Sequence, residues 1–105
     1  MAKLPSSFRA KNRTTRQFRE QYGVLPPAIR DAVRQACVLF ERNPSHRSLR
    51  LHELRESKRG DHAPSTFSVS VTMQYRALFI VVEGINVWYW IGSHAQYNRF
   101  TGSSA

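Results

Sequence analysis

The stretch TFSVSVTMQYRALFIVVEGINVWYWIGSHAQY, residues 66–97, decides which fold this chain can adopt. Its first part, residues 66–72, alternates apolar and small polar side chains. This pattern predicts a strand with one face on a core and the other face polar. The apolar set is Phe67, Val69 and Val71, and the polar set is Ser68, Ser70 and Thr72. We expect the apolar set to pack under a helix and the polar set to lie on the opposite face.

The remainder of the stretch predicts two further strands. Residues 75–82 are apolar on both faces except at Arg76, and residues 86–92 are apolar on both faces. Such segments are typical of strands inside a sheet. Because the connections are short and Glu83–Gly84 marks a turn, we predict an antiparallel meander with residues 75–82 at its centre.

Two helices are predicted before these strands. Residues 14–23 form a short helix, with Thr14 or Thr15 as its N-cap and a glycine at its end. A second helix begins near Pro27, since proline suits the first helical turn, and ends at Asn43–Pro44. Its apolar residues recur at helical spacing: Ile29, Ala32, Val33, Ala36, Cys37 and Phe40.

The other segments complete a single domain over residues 1–105. LRLHEL, residues 49–54, is predicted as a strand, and residues 56–65 as a polar loop. Residues 1–13 are basic and form an arm or a short edge strand, and residues 101–105 form a flexible tail. The predicted fold is α+β, with two N-terminal helices packed on one face of a small, mainly antiparallel sheet.

Charge is the most informative property of the composition. Sixteen Lys and Arg oppose seven Asp and Glu, which gives a net charge of +9. A small domain this basic is typical of proteins that bind a polyanion or an acidic protein. The start of the chain lacks a signal-peptide pattern, and no segment reaches the ~20 apolar residues of a membrane span. We therefore expect a cytoplasmic protein with no membrane partner.

Motifs for common cofactors and metals are absent from the sequence. There is no P-loop, no GxGxxG, no HExxH and no CxxC. The carboxylates are scattered rather than paired at metal-ligand spacing: Glu20, Asp31, Glu41, Glu53, Glu56, Asp61 and Glu83. We expect no metal site and no small-molecule cofactor, which disfavours a metal-dependent nuclease. The single Cys37 lies in an apolar helical pattern, so it is a poor nucleophile candidate.

Three polar side chains stand out along the predicted strands. Arg76 interrupts an apolar strand. It is either a structural arginine paired with Glu53 or Glu83, or a rigidly held guanidinium that binds a phosphate. His52 and His94 are either structural or surface histidines, or a general acid and a general base.

Nearby aromatic and basic side chains also have two interpretations. Tyr97 is either an aromatic at the edge of the core, or a group that donates a proton or stacks on a base. Trp88 and Trp90 are expected in the core rather than as stacking platforms. The loop RESKRGDH, residues 55–62, is either a solvated charge run or a phosphate-binding rim beside the strand that carries the first histidine. If the polyanion is RNA, the side chains predicted to bind it are Arg50, Arg55, Lys58 and Arg59.

The order of these segments resembles the RelE/ParE superfamily of bacterial type II toxins. The resemblance rests on an LP break between two helices, then NPSHRSLRLHEL (43–54), FSVSVTMQYRALF (67–79) and WIGSHAQY (90–97). It extends from about Arg13 to Phe100. The patterns LHxL, SxxVxxxYRxxF and IGxHxxY match the RelE-like branch best.

This resemblance implies a metal-independent mRNA endoribonuclease that acts with the ribosome and is neutralised by a cognate acidic antitoxin. In the family, the 2′-hydroxyl attacks the adjacent phosphate and leaves a cyclic phosphate and a 5′-hydroxyl. Carried onto this sequence, Arg76 would stabilise the transition state and His94 would be a general acid or base. His52 occupies a position that is often His or Lys, and Tyr97 would position or stack the base.

One departure from the family leaves the proton-transfer roles open. Several members keep a lysine pair near the site, and its equivalents here would be His52, Lys58 or Arg59. Two alternatives to the ribonuclease remain, a non-enzymatic ParE-like toxin that binds DNA gyrase and a repurposed basic binding module. The two histidines together with Arg76 favour the ribonuclease, because a pure binder needs no proton-transfer pair.

Overall fold

The computed structural model describes residues 12–54 and 66–101. In this part of the chain the helices are α1 (Arg16–Gly23), α2 (Pro27–Arg42) and α3 (His94–Thr101). The strands are β1 (Asn12–Thr14), β2 (His52–Glu53), β3 (Thr66–Ser70), β4 (Tyr75–Val82) and β5 (Ile85–Ser93). A 3₁₀ turn (Arg47–Leu49) joins α2 to β2. None of the three helices is long and apolar enough to cross a membrane.

The two N-terminal helices begin and end where the sequence predicts. The Thr15 hydroxyl accepts a hydrogen bond from the Phe18 N–H at 3.1 Å, which caps α1. Pro27 occupies the first turn of α2, and Asn43 follows its last residue as the C-cap. Both boundaries follow from local chemistry, since a proline lacks the N–H that the first turn leaves unpaired and Pro44 disfavours helical backbone at Asn43.

The five strands form one mixed sheet in the order β1-β5-β4-β3-β2. Strands β2 to β5 pair antiparallel with their sequence neighbours, and β1 adds parallel to β5. The predicted α+β fold and the antiparallel meander with residues 75–82 at its centre are therefore confirmed. Residues 12–14 form an edge strand; residues 1–11 and 102–105 lie outside the described residues, as does the predicted loop at 56–65.

The main core lies between α1, α2 and one face of the sheet. Phe67, Val69 and Val71 of the β3 segment belong to it, as predicted, together with Val33 and Phe40 of α2. An aromatic group fills its centre. Ring centroids are 4.4 Å apart for Phe79 and Trp88, 5.2 Å for Phe40 and Trp88, and 5.2 Å for Phe67 and Phe79.

The opposite face of the sheet is less polar and less open than the sequence predicts. Ser68 and Ser70 do lie on this face, but they are 0% and 7% exposed. The two serines therefore lie on the predicted face, but that face is covered rather than open to solvent at these positions. The physical reason is a second, small core on this side of the sheet, to which α3 contributes: it comprises Leu54, Leu78, Trp90 and Tyr97, with Tyr89 packed against it.

A β-bulge in β5 explains how both cores obtain a tryptophan. Strict alternation would place Trp88 and Trp90 on the same face of the strand. The register shifts at Leu78/Phe79, so that Phe79 pairs with Trp88 and Leu78 with Trp90. Trp88 thus joins the main core and Trp90 the second core, and both are buried as predicted.

The segment predicted as a strand over residues 49–54 is mostly not a strand. Leu49 ends the 3₁₀ turn, and Arg50 has left-handed backbone angles, φ 47° and ψ 44°. Only His52 and Glu53 pair with β3. The left-handed residue reverses the chain direction, which shortens the strand although the leucines alternate.

The outer edge of β5 is covered by side chains where β1 ends. Strand β1 pairs with β5 only from Asn86 to Trp88. Beyond it, Gln17 of α1 donates from Nε2 to the Tyr89 carbonyl at 2.7 Å. One turn further along α1, Gln21 Oε1 accepts from the Ile91 N–H at 3.0 Å. Two glutamine side chains thus continue the hydrogen bonding that the short edge strand leaves unfinished.

Candidate functional site

Arg76 lies half-buried on β4, on the sheet face opposite α1 and α2. Its Nη1 donates to the buried Ser68 hydroxyl on β3 at 3.4 Å. Its Cζ lies 5.2 Å from the centroid of the Tyr97 ring, in a cation–π contact. The hydroxyl on one side and the ring on the other fix the guanidinium on the sheet.

Arg76 makes no ion pair with a carboxylate in the described segments. The ion pairs there are Arg16–Glu20 and Arg34–Asp31, both between neighbouring turns of one helix. Pairing with Glu53 or Glu83, the structural alternative considered from the sequence, is not found in these segments. Within these segments the guanidinium of Arg76 contacts a hydroxyl and an aromatic ring and carries no paired carboxylate, an arrangement suited to binding an anion.

Tyr97 connects Arg76 to His94. The Tyr97 side chain is 9% exposed and lies against Trp90, with ring centroids 6.3 Å apart. The His94 ring lies 6.2 Å from the Tyr97 ring, with an angle of 27° between the planes. His94 itself is exposed. The structure thus brings three of the predicted site residues together in one contiguous group, with the phenol ring at its centre.

A helix start, not a strand end, sets the position of His94. Ser93 and Gln96 form a capping box: the Gln96 Oε1 accepts from the Ser93 N–H at 2.8 Å, and the Ser93 hydroxyl accepts from the Gln96 N–H at 3.2 Å. The His94 N–H donates to the Gln74 carbonyl at 2.7 Å. These bonds fix the amino end of α3, whose partial positive charge adds to that of the nearby Arg76.

His52 lies on the same sheet face as Arg76 but further away. It pairs with Ser68, so both side chains project to one side of the sheet. The two strand spacings between β2 and β4 separate it from Arg76 by about 10 Å laterally. His52 Nδ1 lies 2.9 Å from the Arg50 carbonyl. Since a carbonyl only accepts, Nδ1 carries the proton in this bond, and Nε2 of the neutral ring is left as the base.

The structure describes only one of the four residues that are predicted to bind RNA. Arg55, Lys58 and Arg59 lie outside the described residues. Arg50 is exposed and lines a cavity between α2 and the end of β3.

Cys37 and the metal-ligating side chains give no competing site in the described ranges. Burial, and to a smaller extent the negative charge of Glu41, raises the pKa of the Cys37 thiol to about 12. The buried thiol therefore stays protonated near neutral pH, as expected for a core residue. Within residues 12–54 and 66–101, no three His, Cys, Asp or Glu side chains come together.

Sequence reasoning missed three residues that shape the site. Ser68 was expected on an open polar face, and Gly92 and Gln96 were not considered. The signal for Gln96 was present, because Ser-x-x-Gln is a capping-box pattern. Gly92 pairs with Arg76, and a Cβ there would lie 2.9 Å from the Trp90 ring and 2.8 Å from Gln96 Oε1.

Replacement of Gly92 by alanine should therefore disturb α3. The added methyl group needs Trp90 and Gln96 to move, which weakens the capping box and costs about 1–3 kcal/mol of unfolding free energy. Denaturant unfolding monitored by tryptophan fluorescence measures the change. Gly23→Ala is the matched control, since a Cβ there meets nothing within 4 Å. Equal stability of the two variants would contradict the close packing at Gly92.

Comparison with known proteins identifies the fold. No family model and no curated protein matches the sequence. Among solved structures, YafQ from Escherichia coli BL21(DE3) superimposes with a TM-score of 0.63 at 11% identity, over 81% of this chain and 93% of that chain. The RelB–RelE antitoxin–toxin complex of Methanococcus jannaschii gives a TM-score of 0.63 at 11% identity, over 84% of this chain and 96% of that chain.

A third solved structure extends this likeness. The archaeal RelE–RelB complex from Pyrococcus horikoshii OT3 gives a TM-score of 0.60 at 12% identity, over 82% of this chain and 96% of that chain. The chain thus has the fold of RelE-like toxins, as the sequence resemblance predicts. At these identities the likeness concerns the fold.

Proposed function

We propose that this protein is a type II toxin that cleaves mRNA on the ribosome without a metal ion. The observation that carries the proposal is the contiguous group of Arg76, Tyr97 and His94 on the RelE-like fold. A guanidinium that is held by its neighbours and an exposed imidazole near the same tyrosine ring are the two kinds of group that phosphodiester transfer requires.

The proposed reaction transfers the phosphate within the RNA strand. The 2′-oxygen forms a bond to the adjacent phosphorus, while the bond from phosphorus to the 5′-oxygen of the next nucleotide breaks. A general base takes the 2′-hydroxyl proton, and a general acid protonates the leaving oxygen. The products are a 2′,3′-cyclic phosphate and a 5′-hydroxyl, and no other reactant is consumed.

Arg76 and Tyr97 have distinct roles in this proposal. Arg76 stabilises the negative charge that develops on the phosphate oxygens, because its donors are already in place before the reaction. Tyr97 is 9% exposed, so its ring face serves to hold Arg76 and His94 rather than to stack on a base. We therefore assign it as a positioning residue.

His94 and His52 are the proton-transfer candidates. His94 is exposed and lies near the same Tyr97 ring that Arg76 contacts, and it is the general acid or base of the proposal. His52 offers Nε2 as a base, since Nδ1 is bound to the Arg50 carbonyl. His52 lies on the same sheet face as Arg76, about 10 Å away laterally, which makes it the second candidate in the proposal.

Two features support a cognate acidic antitoxin as the partner. The chain carries a net charge of +9, which an acidic segment would neutralise. The likeness extends to RelE in its complex with the antitoxin RelB. We propose that such a segment covers Arg76 and thereby blocks the site. The mRNA and the ribosome are the other proposed partners, and the cytoplasm is the proposed location.

Single-turnover cleavage of mRNA on programmed ribosomes tests the function. The EDTA-treated protein should cut the mRNA and leave a cyclic phosphate and a 5′-hydroxyl, because the proposed groups are all side chains. An excess of antitoxin should stop the reaction. Intact mRNA together with inhibition of DNA gyrase would instead replace the ribonuclease with the ParE-like alternative.

A further inference from the structure

A cavity of about 580 Å³ opens between α2, the 3₁₀ turn and the end of β3. This volume lies in the range of small-molecule sites, about 300–1,000 Å³. Leu39, Leu49 and Val71 contribute apolar wall. The polar groups on the lining are those of Gln35, Arg47, Ser48, Arg50, Ser70 and Thr72.

The charge of this cavity is positive and is not balanced by its own lining. None of the described residues that line it carries a carboxylate. Within the described segments, the side chains of Arg47 and Arg50 make no hydrogen bond and no ion pair. Both arginines are exposed. Two unpaired guanidinium groups at the mouth of a cavity favour an anionic ligand.

Arg50 adopts a backbone conformation that its residue type disfavours. Its φ of 47° lies in the left-handed region, where a Cβ crowds the following carbonyl and where glycine or asparagine is the usual residue. Residues held in this region cluster at functional sites, where the surrounding structure maintains them. The backbone of Arg50 is thus consistent with a functional site at this cavity.

The cavity adjoins the proposed catalytic face through two residues. Ser70 lines the cavity and is the direct strand partner of Arg76. Arg50 lines the cavity, and its carbonyl accepts the hydrogen bond from His52 Nδ1. The cavity opens on the α2 side of the sheet, so a ligand that contacts both the cavity and the catalytic face passes round the end of β3 at Ser70.

We propose that this cavity is a nucleotide subsite for the RNA strand whose phosphate lies at Arg76. A base of that strand enters the cavity between the apolar walls, where Gln35 and Thr72 offer groups to its polar edge, and its phosphate binds Arg50 and Arg47. We favour RNA over an acidic polypeptide because Ser70 of the cavity is the strand partner of Arg76, so that one RNA strand reaches both sites. The inference rests on the proposed function for the choice of ligand.

The variant Arg50→Gly tests the guanidinium, because it removes this group without straining the backbone. Glycine adopts the left-handed conformation without strain, so the melting temperature should stay the same or rise. Binding of a labelled single-stranded RNA oligonucleotide, followed by fluorescence anisotropy, should weaken several-fold. The slope of log K against log salt concentration should fall by about 0.7 for each lost phosphate contact. Arg13→Ala is the control, because Arg13 is exposed on β1, at the other edge of the sheet.

Ala32→Leu tests the cavity itself without changing charge. Ala32 lines the cavity and is partly exposed, so a larger side chain fills the space that the base would occupy. RNA affinity should fall several-fold while the salt slope stays as in the wild type. Wild-type affinity in both Arg50→Gly and Ala32→Leu would overturn the subsite.

The remaining outcomes separate the subsite from the cleavage reaction. If Arg50→Gly and Arg13→Ala lost the same RNA affinity, the result would overturn the subsite and indicate non-specific electrostatic attraction. If Arg50→Gly weakened the binding of polyglutamate but left the binding of RNA unchanged, the cavity would be assigned to an acidic polypeptide. RNA binding that depends on Arg50 in a protein that cleaves nothing would support the subsite and refute the ribonuclease. mRNA cleavage that is unchanged in Arg50→Gly and in Ala32→Leu would support the ribonuclease and refute the subsite.

Discussion

Replacement of Arg76 by alanine should lower the single-turnover rate of mRNA cleavage by about 10²–10³-fold, the effect typical of removing one fixed donor to a developing negative charge. The protein should still fold, because Arg76 is half-buried and its polar and ring contacts among residues 12–54 and 66–101 are one hydrogen bond of 3.4 Å and one cation–π contact. On expression, the variant should no longer arrest growth.

Two further variants show whether the loss comes from the guanidinium or from charge alone. Arg76→Lys keeps the positive charge but loses the planar pair of donors, so most of the rate should remain lost. Arg13→Ala removes one charge at the edge of the sheet and should cut at close to the wild-type rate. Full activity in Arg76→Ala would place the reaction elsewhere on the protein.

Replacement of His94 by alanine should lower the cleavage rate by about 10²–10⁴-fold, the usual contribution of general acid–base catalysis. The helix should survive the change, since the capping box is made by Ser93 and Gln96 and the His94 backbone N–H remains. One limb of the pH–rate profile should flatten, a change that a purely structural role would not produce. Circular dichroism checks that α3 is intact.

A comparison with His52→Ala distinguishes the two histidines. Loss of opposite limbs of the pH–rate profile in the two variants would assign one histidine as acid and the other as base. An unchanged rate in His52→Ala, with the loss confined to His94→Ala, would leave His94 and a non-histidine partner as the proton-transfer pair. Wild-type rates in both His94→Ala and Arg76→Ala would show that the site is misplaced.

The features that the sequence predicts well are those fixed by local chemistry or by burial on both faces. Thr15, Pro27 and Asn43 each act on their own turn of helix, so their effect does not depend on the rest of the fold. The central position of β4 follows from its continuous apolar run, which only a covered strand can tolerate.

The features that it predicts poorly depend on residues that meet across the fold. Ser68 and Ser70 alternate like solvent-facing residues, yet the second core buries them. Small hydroxyl side chains are compatible with burial when a partner such as Arg76 is present, and that partner lies on another strand. The sequence predicts the individual residues of the candidate site but not their grouping around Tyr97. This grouping depends on α3, which was not predicted because the residues after Gly92 have a turn-like composition.

The two glutamines of α1 have a consequence for how the molecule meets other chains. An open strand edge is a template on which a foreign segment can pair and from which aggregates can grow. Gln17 and Gln21 occupy the groups of β5 that such a segment would need. Unlike a full edge strand, these side chains offer no further row of backbone groups. Along the part of β5 beyond β1, a binding partner therefore has to recognise side chains rather than pair with the strand.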